Sequence, residues 1–111
     1  MKIAITSGYF DPLHVGHVEC FKLSRRLSDK LVVILNNDYQ AKLKKGKIFM
    51  PQEERKIILE ALRDVDEVFL SIDKDKSVCE SIKALAKKYK GNEIIFTKGG
   101  DRFSHEIPEA I

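Results

Sequence analysis

The sequence has little of what disulfide frameworks, metal clusters and membrane spans require. It contains two cysteines, Cys20 and Cys79, three prolines and no tryptophan in 111 residues. The cysteines stand far apart, which excludes the C-x-x-C pairs typical of structural zinc sites. Both lie in helix-like patterns, and we expect them to be reduced and buried. No apolar run is long enough to span a bilayer and none follows Met1 as in a signal peptide, which predicts a cytoplasmic protein without membrane contact.

Strong charge of one sign is missing as well. The net charge is only +3 at pH 7, although 33% of the residues are charged. Proteins that bind duplex nucleic acid usually concentrate basic residues and base-reading side chains on one face. We therefore expect no nucleic acid partner, and a small anionic ligand such as a nucleotide suits this balance better.

The chain does contain a regular alternation of short β-rich runs and longer helical patterns. Its length predicts a single domain over residues 1–111 with one core. The predicted strands cover residues 2–7, 30–36, 67–71 and 93–97. The predicted helices cover residues 15–28, a segment that begins at Pro51, and residues 78–89. Residues 37–50 are polar and rich in lysine, and are predicted to form a loop.

This order predicts the α/β class, as a Rossmann-like, three-layer α/β/α fold with a parallel sheet. Helical spacing assigns these residues to the inner faces of the first two helices: Cys20, Leu23, Leu27, Ile57, Ile58, Ala61 and Leu62. Ser77 and Glu80 have the spacing of a capping box at the start of the third helix. In such sheets, ligands bind beyond the carboxyl ends of the strands, where the strand order reverses.

The stretch SGYFDPLHVGH, residues 7–17, directly follows the first strand and therefore lies at such an end. If a helix starts near Val15, its free backbone N–H groups and positive dipole end form a site for an anion. Gly16 lets a phosphate approach the backbone closely. His14 and His17 can direct imidazole N–H donors at the same anion.

Two other interpretations of the histidine pair remain open on these residues alone. The histidines can simply cap a helix, with the turn before it set by Asp11 and Pro12. They can also bind zinc, as in a metal-dependent hydrolase. Such a site lacks its third ligand, because the one remaining histidine, His105, lies in a polar tail.

The string from Gly8 to His17 resembles the signature G-x-F-D-x-x-H-x-G-H of the nucleotidyltransferase superfamily, in its cytidylyltransferase-like branch. Its position between a first strand and a first helix is that of the family. The resemblance extends along nearly the whole chain through further segments: KLKKGK at 42–47, PQEER at 51–55, VDEV at 65–68 and TKGGD at 97–101.

The resemblance implies that the phosphate of an acceptor attacks the α-phosphate of CTP or ATP, and that pyrophosphate leaves without a covalent enzyme intermediate. It implies three catalytic residues: His14, His17 and Lys44. It implies a nucleotide site that consists of Gly8, Tyr9, Phe10, Asp11, His14, Gly16, His17, Lys42, Lys45, Lys47, Arg55, Gly99 and Asp101. Mg²⁺ would enter with the triphosphate, and no metal site of the protein's own is implied. Taken without the resemblance, the lysines of 42–47 are typical of a solvated loop, Arg55 of a surface ion pair and residues 99–101 of a turn.

The family continues into a fifth strand and a Ser/Thr-rich helix start that contacts the triphosphate, and this sequence does not contain that segment. We therefore expect the domain to be incomplete at its C-terminal end. A nucleotide-binding module with little or no turnover is the alternative function. The fourth strand would be left at an edge of the sheet, which favours a homodimer.

Overall fold

Strands and helices alternate in the predicted order, with one helix more than expected. A computed structural model describes residues 1–97 of the chain. The elements are β1 (Lys2–Gly8), α1 (Val15–Arg26), β2 (Lys30–Leu35), α2 (Asp38–Lys45), α3 (Gln52–Glu60), β3 (Glu67–Leu70), α4 (Cys79–Lys88) and β4 (Glu93–Thr97). No helix in this part of the chain is long and apolar enough to cross a membrane.

The four strands form one parallel sheet in the order β3-β2-β1-β4. The chain winds from β1 through β2 to β3 and then returns to the other side of β1, where β4 pairs with it. The strand order therefore reverses between β1 and β4. Doubly wound sheets bind ligands beyond the carboxyl ends of the strands at such a reversal. The predicted α/β class with a parallel sheet is confirmed.

Helices cover both faces of the sheet, which completes the three layers. On one face, α4 packs against β1 and β2 in a core that consists of Ile3, Ile5, Val32, Ile34, Val78, Ile82, Leu85 and Tyr89. On the other face, α1 and α3 pack in a core that consists of Ala4, Phe10, Phe21, Leu31, Val33, Leu35, Leu59 and Val65. Every side chain from Leu31 to Leu35 is fully buried, because β2 has strands on both sides and helices on both faces. This position explains why the β2 sequence is a continuous apolar run.

The inner face of α1 differs from the face that apolar spacing assigned. The buried residues of this helix are Cys20, Phe21 and Ser24. Leu23 and Leu27 are each 55% exposed. Ser24 is buried instead because its Oγ lies 2.9 Å from Oγ1 of Thr97, in β4. A hydrogen bond between α1 and β4 thus accompanies a polar residue on the face where the spacing predicted a leucine.

Of the residues assigned to the inner face of α3, Leu62 packs against the core just after the helix ends, but the face of the helix itself was predicted incorrectly. Its buried residues are Arg55 and Leu59, whereas Ile57 is 65% exposed and Ile58 is 37% exposed. An arginine can occupy an inner face only where acceptors satisfy its guanidinium group. Hydrophobic spacing does not register such acceptors when they come from distant parts of the chain.

The segment 37–50 was predicted as a loop, but its first part is the helix α2. Asn37 caps the helix by accepting a hydrogen bond from the backbone N of Gln40 at 2.9 Å, and the Gln40 side chain accepts one from the backbone N of Asn37 at 3.0 Å. Gly46 ends the helix with a left-handed φ of 81°. The Asn-x-x-Gln spacing and the glycine after three lysines were available in the sequence as helix signals.

The capping box predicted at Ser77 and Glu80 does not form. Helix α4 begins at Cys79, and Asp73 caps it from outside the helix. The Asp73 carboxylate accepts hydrogen bonds from the backbone N of Glu80 at 2.8 Å and of Ser81 at 2.9 Å. A carboxylate is a stronger acceptor for these first-turn amides than a hydroxyl group.

Candidate functional site

A cavity of about 570 Å³ opens at the carboxyl end of β1, beside the start of α1. Its lining residues are Thr6, Ser7, Gly8, Tyr9, Phe10, Asp11, Pro12, His14, Gly16, His17, Cys20, Phe21, Lys44 and Lys45. The turn from β1 into α1 supplies most of this wall, and α2 supplies the two lysines. The cavity therefore brings together most of the residues that the sequence predicted for a nucleotide site.

The side chains of His14 and His17 together form the N-terminal cap of helix α1. The backbone N of His14 donates to Nδ1 of His17 at 3.0 Å, and the backbone N of Gly16 donates to Nδ1 of His14 at 3.0 Å. The two rings are stacked, with centroids 3.9 Å apart. Because each Nδ1 accepts a hydrogen bond, each neutral ring carries its proton on Nε2. The helix cap and an anion site are therefore compatible: Nδ1 serves the helix, and Nε2–H is left as a donor.

His17 is held in its neutral form. Burial lowers the pKa of His17 from its ordinary value of 6.5, and the nearby His14 lowers the pKa further. The ring of Phe10 packs edge-on against the His17 ring, with centroids 5.0 Å apart, and contributes to this burial. His17 can therefore offer an anion an N–H donor near pH 7 rather than a full positive charge.

Two glycines leave space for the side-chain rings of nearby residues. A Cβ at Gly16 would lie 2.8 Å from Cε1 of His14, and a Cβ at Gly8 would lie 2.7 Å from Cζ of Phe10. Phe10 is buried with a positive φ of 52°, a conformation that L-residues with bulky side chains rarely adopt. Gly16 is thus needed for the position of His14. That it also admits a phosphate stays a prediction.

Asp11 joins the histidine loop to the segment before α3. Its carboxylate accepts hydrogen bonds from the backbone N of Phe49 at 2.9 Å and of Met50 at 2.6 Å. Nζ of Lys45 lies 3.6 Å from this carboxylate and donates to the carbonyl oxygen of Asp11 at 2.7 Å. Burial acts to raise the pKa of Asp11, but the two amide donors and the charges of Lys45 and Arg55 outweigh it and lower the pKa. The carboxylate is thus an ionised anchor in the cavity wall.

The four predicted lysines divide into two groups. Lys44 and Lys45 line the cavity, whereas Lys42 and Lys47 are not among its lining residues. Nζ of Lys44 lies 4.5 Å from the centroid of the Tyr9 ring, a cation–π contact at the mouth of the cavity. All but Lys47 belong to α2, so the helix decides which of them reach the site.

The structure does not bring Arg55 to the cavity. Its side chain is buried, and its guanidinium group donates four hydrogen bonds. Nε donates to the carbonyl oxygen of Met50 at 2.9 Å, and Nη1 donates to those of Tyr9 at 2.6 Å and Asn36 at 2.9 Å. Nη2 pairs with Oδ1 of Asp38 at 2.7 Å. Arg55 thus connects the ends of β1 and β2 to the starts of α2 and α3.

Two predicted residues, Gly99 and Asp101, lie outside the described part of the chain and stay predictions. Within residues 1–97, no group of three or more His, Cys, Asp or Glu side chains could hold a metal ion. The sequence reasoning missed Cys20 and Phe21 as cavity residues. They follow His17 by three and four positions, so they share its side of α1, and this spacing could have identified them.

The sheet order and the reversal at β1 define a doubly wound α/β protein, in which hydrogen-bond donors at the start of α1 face a cavity at the carboxyl edge of the sheet. The model of the cytidylyltransferase-like family matches residues 5–109. The chain therefore belongs to this family.

Similar proteins come from bacteria and archaea. The bifunctional protein HldE of Citrobacter koseri is 35% identical over 113 residues, which cover 90% of this chain and 24% of that protein. The FAD synthase of Ferroglobus placidus is 40% identical over 75 residues, 68% of this chain and 49% of that protein. The chain thus spans about half or less of the length of these relatives. The lipopolysaccharide core biosynthesis protein from Thermoplasma volcanium shares the fold, with a TM-score of 0.67 and 24% identity over 92% of this chain and 98% of that chain.

Proposed function

We propose that the chain transfers CMP or AMP from CTP or ATP to a phosphorylated small-molecule acceptor and releases pyrophosphate. The observation that carries this proposal is the histidine pair, in which both Nδ1 atoms are used by backbone amides and both Nε2–H groups are left for a ligand. The pair lies at a helix start in a cavity that two lysines also line. Such an array of donors suits phosphate oxygens.

In the proposed reaction, an oxygen of the acceptor phosphate forms a bond to the α-phosphorus of the nucleotide. The bond from that phosphorus to the oxygen that bridges to the β-phosphate breaks, and its electron pair leaves with pyrophosphate. A dianionic acceptor carries no proton on the attacking oxygen, so no general base is needed. Catalysis then depends on positioning and on stabilising charge on the phosphate oxygens. His14 and His17 would donate to those oxygens, and Lys44 and Lys45 would neutralise their charge.

We propose Mg²⁺ as part of a metal–triphosphate substrate. The carboxylate of Asp11 lines the cavity, but two backbone amides and Lys45 already occupy it. Residues 1–97 offer no cluster of ligands for a resident ion. An ion that arrives with the nucleotide would neutralise phosphate charge and help to orient the triphosphate.

The test is pyrophosphate release with CTP or ATP, Mg²⁺ and a panel of small phosphomonoesters. Asparagine at position 14 or 17 places an amide oxygen near the position of Nδ1 and keeps a cap, but removes the Nε2–H donor. We expect His14→Asn and His17→Asn each to lower kcat by about 10²- to 10³-fold, as for the loss of one oxyanion donor. Lys22→Met, on the exposed side of α1, is the matched control.

Two results would count against this proposal. Turnover at the wild-type rate in both asparagine variants would remove the histidines from the mechanism. Thermal stabilisation by nucleotide, without pyrophosphate from any acceptor, would instead support the alternative of a nucleotide-binding module. Such stabilisation follows directly from binding to the folded state.

We further propose a homodimer. Within residues 1–97, β4 pairs only with β1, so its outer edge carries open backbone groups that favour pairing or covering. Light scattering coupled to size-exclusion chromatography measures the molar mass and tests this proposal. A monomer mass at micromolar concentration would contradict it. A cytoplasmic location stays a prediction from the sequence.

A further inference from the structure

The aromatic ring of Tyr9 and the ammonium group of Lys44 meet at the candidate site. Nζ of Lys44 lies 4.5 Å from the ring centroid, within the range of a cation–π contact. Both residues line the cavity beside the histidines, and both also line an adjoining cavity of about 340 Å³. The signature G-x-F-D leaves position 9 open, so the aromatic ring is a feature of this chain that the family pattern does not require.

The surrounding turn holds Tyr9 in place. Its carbonyl oxygen accepts a hydrogen bond from Nη1 of the buried Arg55 at 2.6 Å. The following residue, Phe10, has a φ of 52°, and its buried ring packs against Phe21 with centroids 5.4 Å apart. A Cβ at Gly8 would lie only 2.7 Å from Cζ of Phe10, so the turn and this ring are closely packed. The Tyr9 ring is therefore presented from a fixed backbone position.

The position of Lys44 depends on this ring, unlike that of its neighbour Lys45. Nζ of Lys45 donates to the carbonyl oxygen of Asp11 at 2.7 Å and lies 3.6 Å from the Asp11 carboxylate. Lys44 is exposed, and it forms no ion pair with any residue in 1–97. An exposed lysine has a long flexible stem and loses much rotamer entropy when a ligand fixes it. A ring that already holds the ammonium group reduces that loss.

We infer that Tyr9 is a positioning residue, whose ring holds the ammonium group of Lys44 where that group neutralises charge on the triphosphate. This inference rests on the proposed nucleotidyl transfer. In that reaction negative charge builds on the leaving pyrophosphate, and a cation that is held in advance stabilises it without reorganisation. The electron-rich face of a neutral ring attracts an ammonium group but does not cancel its charge, as a carboxylate would. Tyr9 thus orders Lys44 and leaves its charge available to the ligand.

The contact itself can be measured by NMR on the ligand-free chain. The ring current of Tyr9 shifts the ε-methylene signal of Lys44 upfield, because this methylene is bonded to Nζ, and loss of the signal in Lys44→Met assigns it. We expect Tyr9→Leu to move the signal downfield and Tyr9→Phe to leave it upfield. Tyr39→Leu, which replaces an exposed tyrosine of α2, is the matched control and should not move it. An unmoved signal in Tyr9→Leu would overturn the inference.

A double-mutant cycle measures whether the contact affects a ligand. Inorganic tripolyphosphate is the probe, because its binding needs neither an acceptor nor turnover. We expect Tyr9→Leu to raise the tripolyphosphate Kd about fivefold, the factor that a cation–π contact of an exposed lysine contributes, and Tyr9→Phe to restore the Kd to within about twofold of the wild type. In the Lys44→Met background, Tyr9→Leu should change the Kd by less than about twofold. Additive effects of the two substitutions would show that Tyr9 acts independently of Lys44 and would overturn the inference.

The same cycle applies to pyrophosphate release. Tyr9→Leu should lower kcat/KM for the nucleotide about fivefold in the presence of Lys44 and less than about twofold in Lys44→Met, and Tyr39→Leu should have no effect. If the wild type releases no pyrophosphate but the two residues are coupled in tripolyphosphate binding, the proposed function fails and the positioning role stands. If pyrophosphate is released but the effects are additive, the proposed function stands and the positioning role fails.

Discussion

Replacement of Arg55 by methionine tests how the site is held together. The change removes all four hydrogen bonds of a buried guanidinium group and keeps much of its volume. Three of the acceptors are backbone carbonyl oxygens, whose bonds contribute about 1 kcal/mol each. The fourth, Asp38, is 30% exposed, so water can partly replace its partner. We expect the free energy of unfolding to fall by about 3 to 5 kcal/mol, the range for breaking a buried ion pair.

Urea denaturation measures this loss, provided that the m-value is unchanged. A loss of this size is a large part of the total stability of a small domain, about 5 to 15 kcal/mol. Arg55→Lys keeps a cation but not the planar fork of donors, so we expect about half of the loss and a fall in kcat that exceeds the change in nucleotide KM. Arg63→Met, at an exposed arginine, should stay within about 0.5 kcal/mol of the wild type. An Arg55→Met variant within 1 kcal/mol of the wild type would refute the anchoring role.

Three further predictions address the candidate site and the opposite, amino end of the sheet. Gly16→Ala should lower kcat at least about tenfold with little loss of stability, because the new Cβ would displace the exposed ring of His14. The free energy of unfolding should fall as the pH drops through and below 6.5, because the lowered pKa of His17 lets the unfolded chain bind more protons there, and His17→Asn should remove this dependence. Glu67→Gln should lower stability by about 1 kcal/mol without affecting pyrophosphate release, because Lys30, Lys88 and Tyr89 hold this carboxylate at the amino end of the sheet.

Steady-state kinetics check the Gly16→Ala prediction, and urea denaturation at several pH values checks the His17 prediction. For Glu67→Gln, stability and activity are measured on the same protein sample. An active Gly16→Ala enzyme would show that His14 can move without cost. Equal pH dependence in the wild type and His17→Asn would assign the titration to another group. Loss of activity in a folded Glu67→Gln variant would show that the two ends of the sheet are coupled.

Local signals in the sequence were sufficient for much of the fold. The alternation of apolar runs and helical periods predicted all four strands and three of the four helices within 1–97, with ends correct to a few residues. Helix α2 was missed because three lysines and a polar start outweighed its cap signals. The apolar spacing of α1 and α3 misled because Ser24 and Arg55 are buried through partners in other elements.

The sequence likewise predicted one part of the candidate site and not another. The string at 8–17 predicted both histidines and their position at a helix start, because a turn, a glycine and two imidazoles are close in sequence. It did not predict that each Nδ1 serves as a helix cap, which decides which nitrogen faces a ligand. Arg55 was predicted at the nucleotide, but its side chain is buried and is not among the residues that line the cavity, so a contact with the nucleotide stays a prediction.

The sequence by itself determined the order of strands and helices and the chemistry of the loop after β1, because both depend on residues within one or two turns of each other. Only the tertiary structure decided which polar side chains are anchors and which face a cavity. Arg55 binds Tyr9 across 46 positions, and Gln40 holds Ser77 across 37. Such contacts depend on how the sheet brings separate loops together, and no local spacing encodes them. Lys44 and Lys76, from separate segments of the chain, line one cavity of about 340 Å³ only because of that assembly.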